Sequence, residues 1–400
     1  MKQRKLQFPY RICITIEVVI AAAIAVLTAL QRSNLVSLLF AASFVVAFAF
    51  VIFKIFEQNK INISIVLAVL CMFSVTLNGL QEAGSMNFDY FKKVIMFCCF
   101  MFLVYYSSEE TKSFSNIPIK MIEIFPVIAG SYLAFSYYYL GNTEELARGI
   151  TLGFTNPNFT GMWLLHFFLY GVLFVLKAFY GGCKLRLLYI PVLVVIYNLI
   201  PETGARSCLI GVISFFLIIV LKPVIAEKPK LYAILIAIFP LALAIFYLTV
   251  VDKEWFQEFF AFMVSKGKNL DSRNEIWHEA FKYFGEHPFL GNYSGSTGGT
   301  GQGQMHNTHV DVLASYGIFA FVIFIKMLYD RLVLVCQKIS SLYQTAAFAA
   351  FCAVIVTGSF EAAMVSGAMG LNLLTVAFLL LAQSEGSEAT SPKRIGIVLK

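Results

Sequence analysis

The sequence predicts an all-α integral membrane protein with about twelve transmembrane helices, and three observations carry that prediction. Hydrophobic residues make up 59% of the 400 residues and charged residues only 13%, about half the charged share of a soluble domain. Mean hydropathy is +0.77. The apolar residues fall in successive runs of roughly 18–20, enough to cross a ~30 Å hydrocarbon core. The 40 Phe, 19 Tyr and 3 Trp suit lipid-facing surfaces and interfacial belts.

The chain begins "MKQRKLQFPYR", a basic stretch leading into an apolar run without a convincing A-x-A cleavage site. That run, 12–30, is therefore expected to stay as a first span, not to be removed as a signal. Further spans are expected at 35–53, 61–80, 88–106, 119–140, 158–178, 187–201, 207–222, 231–250, 310–329, 344–362 and 367–383. The seventh and eighth are short, with only "PETGAR" between them. An N-terminus in the cytoplasm places 20 of the 30 basic residues inside, among them Lys54, Lys60, Lys177, Arg186, Lys228 and Lys338. Ten stay outside, including Arg32, Arg148, Arg206 and Arg273. This excess obeys the positive-inside rule and puts both termini in the cytoplasm. The net charge of +7 has the same origin and is not read as nucleic-acid binding.

With no internal repeat, residues 1–400 read as one polytopic membrane domain. Its one long soluble segment, 251–306, is a large extracytoplasmic loop between the ninth and tenth spans. Within it "DKEWFQEFFAFMVSKGK" mixes aromatics and charges like an interfacial helix. "SRNEIWHEAFKYFGEHP" has Ser272 and Glu275 at capping-box spacing and stops before Pro288. Arg273, Trp277, Ala280 and Phe284 share one side of that helix. "GNYSGSTGGTGQG" contains no G-K-[ST], which excludes a P-loop, and reads as a mobile lid. None of the eight cysteines lies in 251–306, where a disulfide framework would be expected, and no Cys/His spacing resembles a zinc site.

Three outer arginines sit at span or helix starts: Arg148 in "ARGITLGFTNPNFTG", Arg206 in "PETGARSCLIG", and Arg273. Helix N-termini present free N–H groups, and a guanidinium adds a bidentate donor fork. Together these suit a diphosphate or another strongly anionic head group. The plainer alternative is that each arginine snorkels to lipid phosphate.

His306 and His309, in "HNTHVDVLASYG", admit three readings. A metal pair at i, i+3 finds only Asp311 as a third ligand, so no metal site is assigned. Both could be interfacial residues capping the tenth span. Alternatively, an imidazole accepts the proton of an attacking sugar hydroxyl; His306 is then the loop-side group, while His309 and Asp311 belong to the helix start. Glu17 and His166, isolated in spans, are expected to face protein partners. Glu361 in "TGSFEAAMVSG", near the outer end of the eleventh span, could line a cavity.

The order of "ARGITLGFTNPNFTG", "TGARSCLIG", "SRNEIWHEAFKYFGEHPFLG" and "HNTHVDVLASYGI" resembles the O-antigen ligase and polymerase superfamily, the Wzy- and WaaL-like proteins. By motif the likeness covers about residues 148–320. It implies a GT-C-like fold in the bacterial plasma membrane. It also implies a metal- and cofactor-independent glycosyltransferase that takes a glycan from a polyprenyl-diphosphate carrier on the outer face. The acceptor would be a glycan or a lipid-borne glycan. Carried over, the diphosphate clamp falls on Arg206 and Arg273 with Arg148 as a third, the catalytic base on His306, and Asn307 helps orient it. Polymerase is favoured over ligase only slightly, and a chain-length regulator as partner stays open. A flippase for lipid-linked sugars is the alternative from another class; such proteins place polar groups near the midplane, whereas here the polar weight lies at one face.

Overall fold

The computed structural model describes residues 10–58, 63–83, 88–107, 117–139, 145–146, 149–154, 156–179, 183–258, 271–291, 305–361 and 369–383. Ten helices come first: α1 (Tyr10–Ala29), α2 (Ser33–Gln58), α3 (Ile63–Ala83), α4 (Phe88–Tyr106), α5 (Ile117–Tyr139), α6 (Pro157–Leu176), α7 (Ile190–Glu202), α8 (Arg206–Val220), α9 (Lys222–Glu227) and α10 (Pro229–Val250). A short hairpin, β1 (Glu145–Leu146) and β2 (Gly149–Ile150), precedes α6. Four longer helices follow among the described residues: α11 (Asp271–Glu286), α12 (Thr308–Lys338), α13 (Leu342–Thr357) and α14 (Met369–Gln383).

A helix lies at each predicted span position. Lipid offers backbone groups no partner, so a run of this length satisfies itself only as a helix. Among the described residues six segments are long and apolar enough to cross a bilayer by that criterion: Tyr10–Ala29, Ser33–Ile55, Ile119–Tyr139, Pro157–Phe179, Lys184–Glu202 and Pro229–Val250. The molecule is a multi-pass membrane protein. A helix apolar all round belongs inside, and α13 and the described side chains of α14 are buried almost throughout. α13 packs against α8 and α14, and α1 against α5, α2 and α14. By contrast α2 turns Leu38, Val45 and Phe48 outward.

The isolated span residues are buried with partners. Ser43 Oγ donates to Glu17 at 2.6 Å; His166 reaches Met162 O at 2.8 Å and Thr375 Oγ1 at 2.9 Å. At one end, buried Glu123 pairs with Lys177, accepts from the Tyr343 hydroxyl, and lies 3.7 Å from Arg186. The charge count puts Lys177 and Arg186 on one side of the membrane, and here they meet on a single carboxylate. Two cations offset the desolvation of that buried acid.

Some boundaries differ from the sequence reading. α11 begins at Asp271, so Ser272 lies in its first turn and not at its cap. α13 ends at Thr357, short of the expected 362, and Glu361 falls beyond it in the following turn. Within 251–306, residues 254–258 are helical, while 259–270 and the glycine-rich 292–304 lie outside the described residues.

The tenth span is longer than expected and broken. Gly317 inside α12 has φ 75° and ψ −178°, a region essentially closed to other residues. The break lets the chain after α11 dock: Ile318 N–H donates to Pro288 O at 2.8 Å. Ser74 ties both sides, donating to Leu290 O and, at 3.2 Å, to Ser315 O. A Cβ at Gly317 would run into the Phe289 carbonyl and lie 2.6 Å from Leu290 N. Gly317→Ala is therefore expected to cost at least about 2 kcal/mol and undock the end of α11. Thermal unfolding of the purified protein checks this; an unchanged Tm would refute it.

Candidate functional site

The site is built where α8, α11, α12 and the turn after α13 meet. Asn307 caps α12: its Oδ1 accepts from His309 N at 2.9 Å and Val310 N at 3.1 Å. Its Nδ2 donates to Pro240 O at 2.8 Å and Ser359 O at 3.0 Å. Asn307 thus fixes the backbone next to His306 and joins three segments. Pro240, inside α10, removes an N–H from the helix ladder. On the same helix Ala237 O lies 2.6 Å from His309 Nε2. A carbonyl only accepts, so His309 holds its proton on Nε2. His309 is fully buried, edge-on to Phe321 and Phe324. It is a packing residue between α10 and α12. Asp311 accepts from Ser315 Oγ at 3.0 Å, one turn along the same helix.

His306 differs on every count. Its side chain is 23% exposed, just before the cap, and its φ is +46°, uncommon for a residue with a Cβ. The chain is held there from the loop side: Trp277 Nε1 of α11 donates to Met305 O at 2.8 Å. Ile276, Trp277 and Ala280 bury one face of α11 against Met305, Val310 and Ala314. That face carries Arg273 on its first turn.

Arg273 Nη2 donates to Phe360 O at 3.3 Å, and its guanidinium lies over the Phe360 ring, 5.6 Å from the centroid. The Glu361 carboxylate stands between the two candidate groups. Oε1 is 3.8 Å from Arg273 Nη2 and Oε2 is 3.4 Å from His306 Nδ1. Burial holds the Arg273 pKa below its ordinary value; Glu361 and Tyr247 oppose that shift, and the charge of Arg206 adds to it. Arg206 is therefore an electrostatic neighbour, exposed on the first turn of α8.

The turn before Arg206 is braced. Thr203 Oγ1 donates to Ile200 O at 2.6 Å and accepts from Ala205 N at 3.2 Å. The hairpin pairs Leu146 with Gly149 and rests on this turn; a Cβ at Gly149 would strike the Thr203 carbonyl and sit 2.7 Å from Glu202 O. Arg148 lies outside the described residues. Of the predicted site, Arg273 and His306 both face Glu361, and Arg206 lies within electrostatic reach of Arg273, whereas His309 and Asp311 point into the helix packing. Glu361, which the sequence offered only as a cavity-lining candidate, touches two of the three. Among the described residues no three His, Cys, Asp or Glu side chains gather as metal ligands.

Residues 190–325 match the family described as O-antigen ligase (Wzy_C). The matched segment covers about a third of the 400-residue chain. It includes Arg206, Arg273, His306, Asn307, His309 and Asp311, while Arg148 and Glu361 fall outside it. The superfamily likeness seen in the motifs is thus supported from α7 to the middle of α12. Comparison with curated proteins and with solved structures finds no match.

Proposed function

We propose that the protein is a glycosyltransferase of bacterial surface-polysaccharide assembly, moving a glycan from a polyprenyl-diphosphate carrier to an acceptor sugar hydroxyl. The observation that carries this is the placing of Arg273 and His306 on either side of Glu361, with Arg206 in electrostatic reach of Arg273. In the reaction the acceptor oxygen attacks the anomeric carbon and His306 takes its proton. The anomeric C–O bond breaks, and the leaving diphosphate carries its charge to the two guanidinium groups, with Arg148 as a third. Such pre-placed charge is where most transition-state stabilisation arises.

The topology that serves this chemistry has twelve spans, both termini in the cytoplasm, a GT-C-like arrangement and 251–306 on the outer face of the plasma membrane. His306 then sits where a lipid-borne donor meets a water-borne acceptor. Extension of one chain by another, as in a polymerase, is the first reading; transfer to a lipid A core or another acceptor, as in a ligase, is the second. A flippase would move its substrate without making a glycosidic bond and would gain nothing from a base beside the arginines.

Deletion of the gene in its native host, with the surface glycan run on a gel and the carrier pool analysed separately, tests the proposal. Single repeat units in place of a ladder are expected for a polymerase, and long chains stranded on the carrier for a ligase. An unchanged ladder and an unchanged carrier pool would overturn both.

A further inference from the structure

We propose that Glu361 is a positioning residue of this site: one carboxylate oxygen accepts the Nδ1 proton of His306, leaving Nε2 as the proton-accepting nitrogen, while the other holds Arg273 until a diphosphate takes it. The inference rests on the transferase reading for its purpose, though not for its geometry.

An ionised carboxylate only accepts hydrogen bonds, so a neutral imidazole whose Nδ1 faces Glu361 Oε2 at 3.4 Å carries its proton on that nitrogen. The partner at one ring nitrogen decides what the other can do. The two residues are 55 apart in sequence, yet their segments are strapped together. Thr308 N–H donates to Gly358 O at 2.8 Å, Asn307 Nδ2 to Ser359 O at 3.0 Å, and Thr308 Oγ1 to Glu361 O at 3.2 Å. Such bracing fixes a side chain well enough for chemistry. The Glu361 residue is only 8% exposed, and a carboxylate that buried needs compensating charge. Arg273 at 3.8 Å supplies it.

The same carboxylate opposes the binding of an anion. With a neutral imidazole, Arg206, Arg273 and Glu361 sum to a single positive charge; removing the carboxylate charge raises it to two. Glu361 therefore favours turnover while weakening the hold on a diphosphate. A group that merely scaffolds the site would support both.

The full chain, labelled with 15N-histidine in lipid nanodiscs, gives the first test, with His306 assigned by the resonance lost in His306→Gln. Wild-type His306 is expected as the Nδ1–H tautomer, and Glu361→Ala should move it towards Nε2–H. The second test is Glu361→Gln, which keeps the shape and removes the charge. Farnesyl diphosphate is expected to bind this variant about threefold or more tightly, while transfer in native-host membranes falls about 10- to 100-fold. A wild-type Nε2–H tautomer would overturn the proposal without any variant. So would Glu361→Gln that loses probe binding together with turnover, or that keeps the wild-type rate. If His306→Ala membranes made normal product, the base role of His306 would fall, and the tautomer would still decide the Glu361–His306 pairing.

Discussion

Membranes carrying His306→Ala are expected to form glycan product about 10²–10⁴-fold more slowly while holding as much folded protein as wild type. The side chain is partly exposed just ahead of the α12 cap. The backbone around it is held by others: Met305 O by Trp277, and the cap by Asn307. His309→Ala should behave in the opposite way. It deletes a fully buried ring, leaves Ala237 O without its imidazole partner, and opens a void beside Phe321 and Phe324. Such losses cost about 2–4 kcal/mol, so folded protein should fall while each surviving molecule turns over normally. Rates normalised to the folded fraction, with Tm measured alongside, separate the two histidines. Full yield with dead turnover in His309→Ala, beside normal turnover in His306→Ala, would exchange their roles.

The difference between those histidines was only half legible in the sequence. The spacing placed His306 on the loop side and His309 in the helix, and the structure starts α12 at Thr308. What the spacing could not carry was the partner of each ring, because both lie far off in sequence. Ala237 is 72 residues from His309, and Glu361 is 55 from His306. The helices themselves were readable because lipid leaves an apolar run little choice. Their ends were less so, since they are decided by tertiary contacts. α13 stops at Thr357 where Gly358 and Ser359 turn to meet Thr308 and Asn307, and this moves Glu361 out of a span and into the site. The "TGSF" ahead of Glu361 held a signal for it: small, turn-forming residues closing an apolar run. The break at Gly317 had no such signal, because a lone glycine in an apolar helix usually only packs.

The loop helix α11 connects stability to chemistry. Its buried face does nothing chemical; it rests against α10 and α12 through Ile276, Trp277 and Ala280. The docking of Pro288 at the Gly317 break holds its far end. With that face packed and the far end docked, the first turn keeps Arg273 beside Glu361. A rigid support under a partly buried guanidinium is what pre-organised charge requires.

Arg273→Ala is accordingly expected to lower the rate at limiting donor by about 10²–10³-fold, and Arg273→Lys to recover only a small part of it. The guanidinium bonds the Phe360 carbonyl, stacks on the Phe360 ring and faces Glu361 at once. An ammonium is a point charge without the planar fork, so it gives up the stacking and the bidentate grip on phosphate oxygens. Burial adds a second handicap. It already pulls the Arg273 pKa down, harmlessly, because arginine starts far above any working pH. A lysine starts near ~10.4, and the same burial lowers it further. As pH rises, the Lys variant therefore loses its positive charge, and with it donor binding, before the wild type does. Its residual activity should fall on the alkaline side while the arginine enzyme holds. Rates against donor concentration across a pH series test both halves. A Lys variant at the wild-type rate with a wild-type pH profile would show that Arg273 does not clamp the diphosphate.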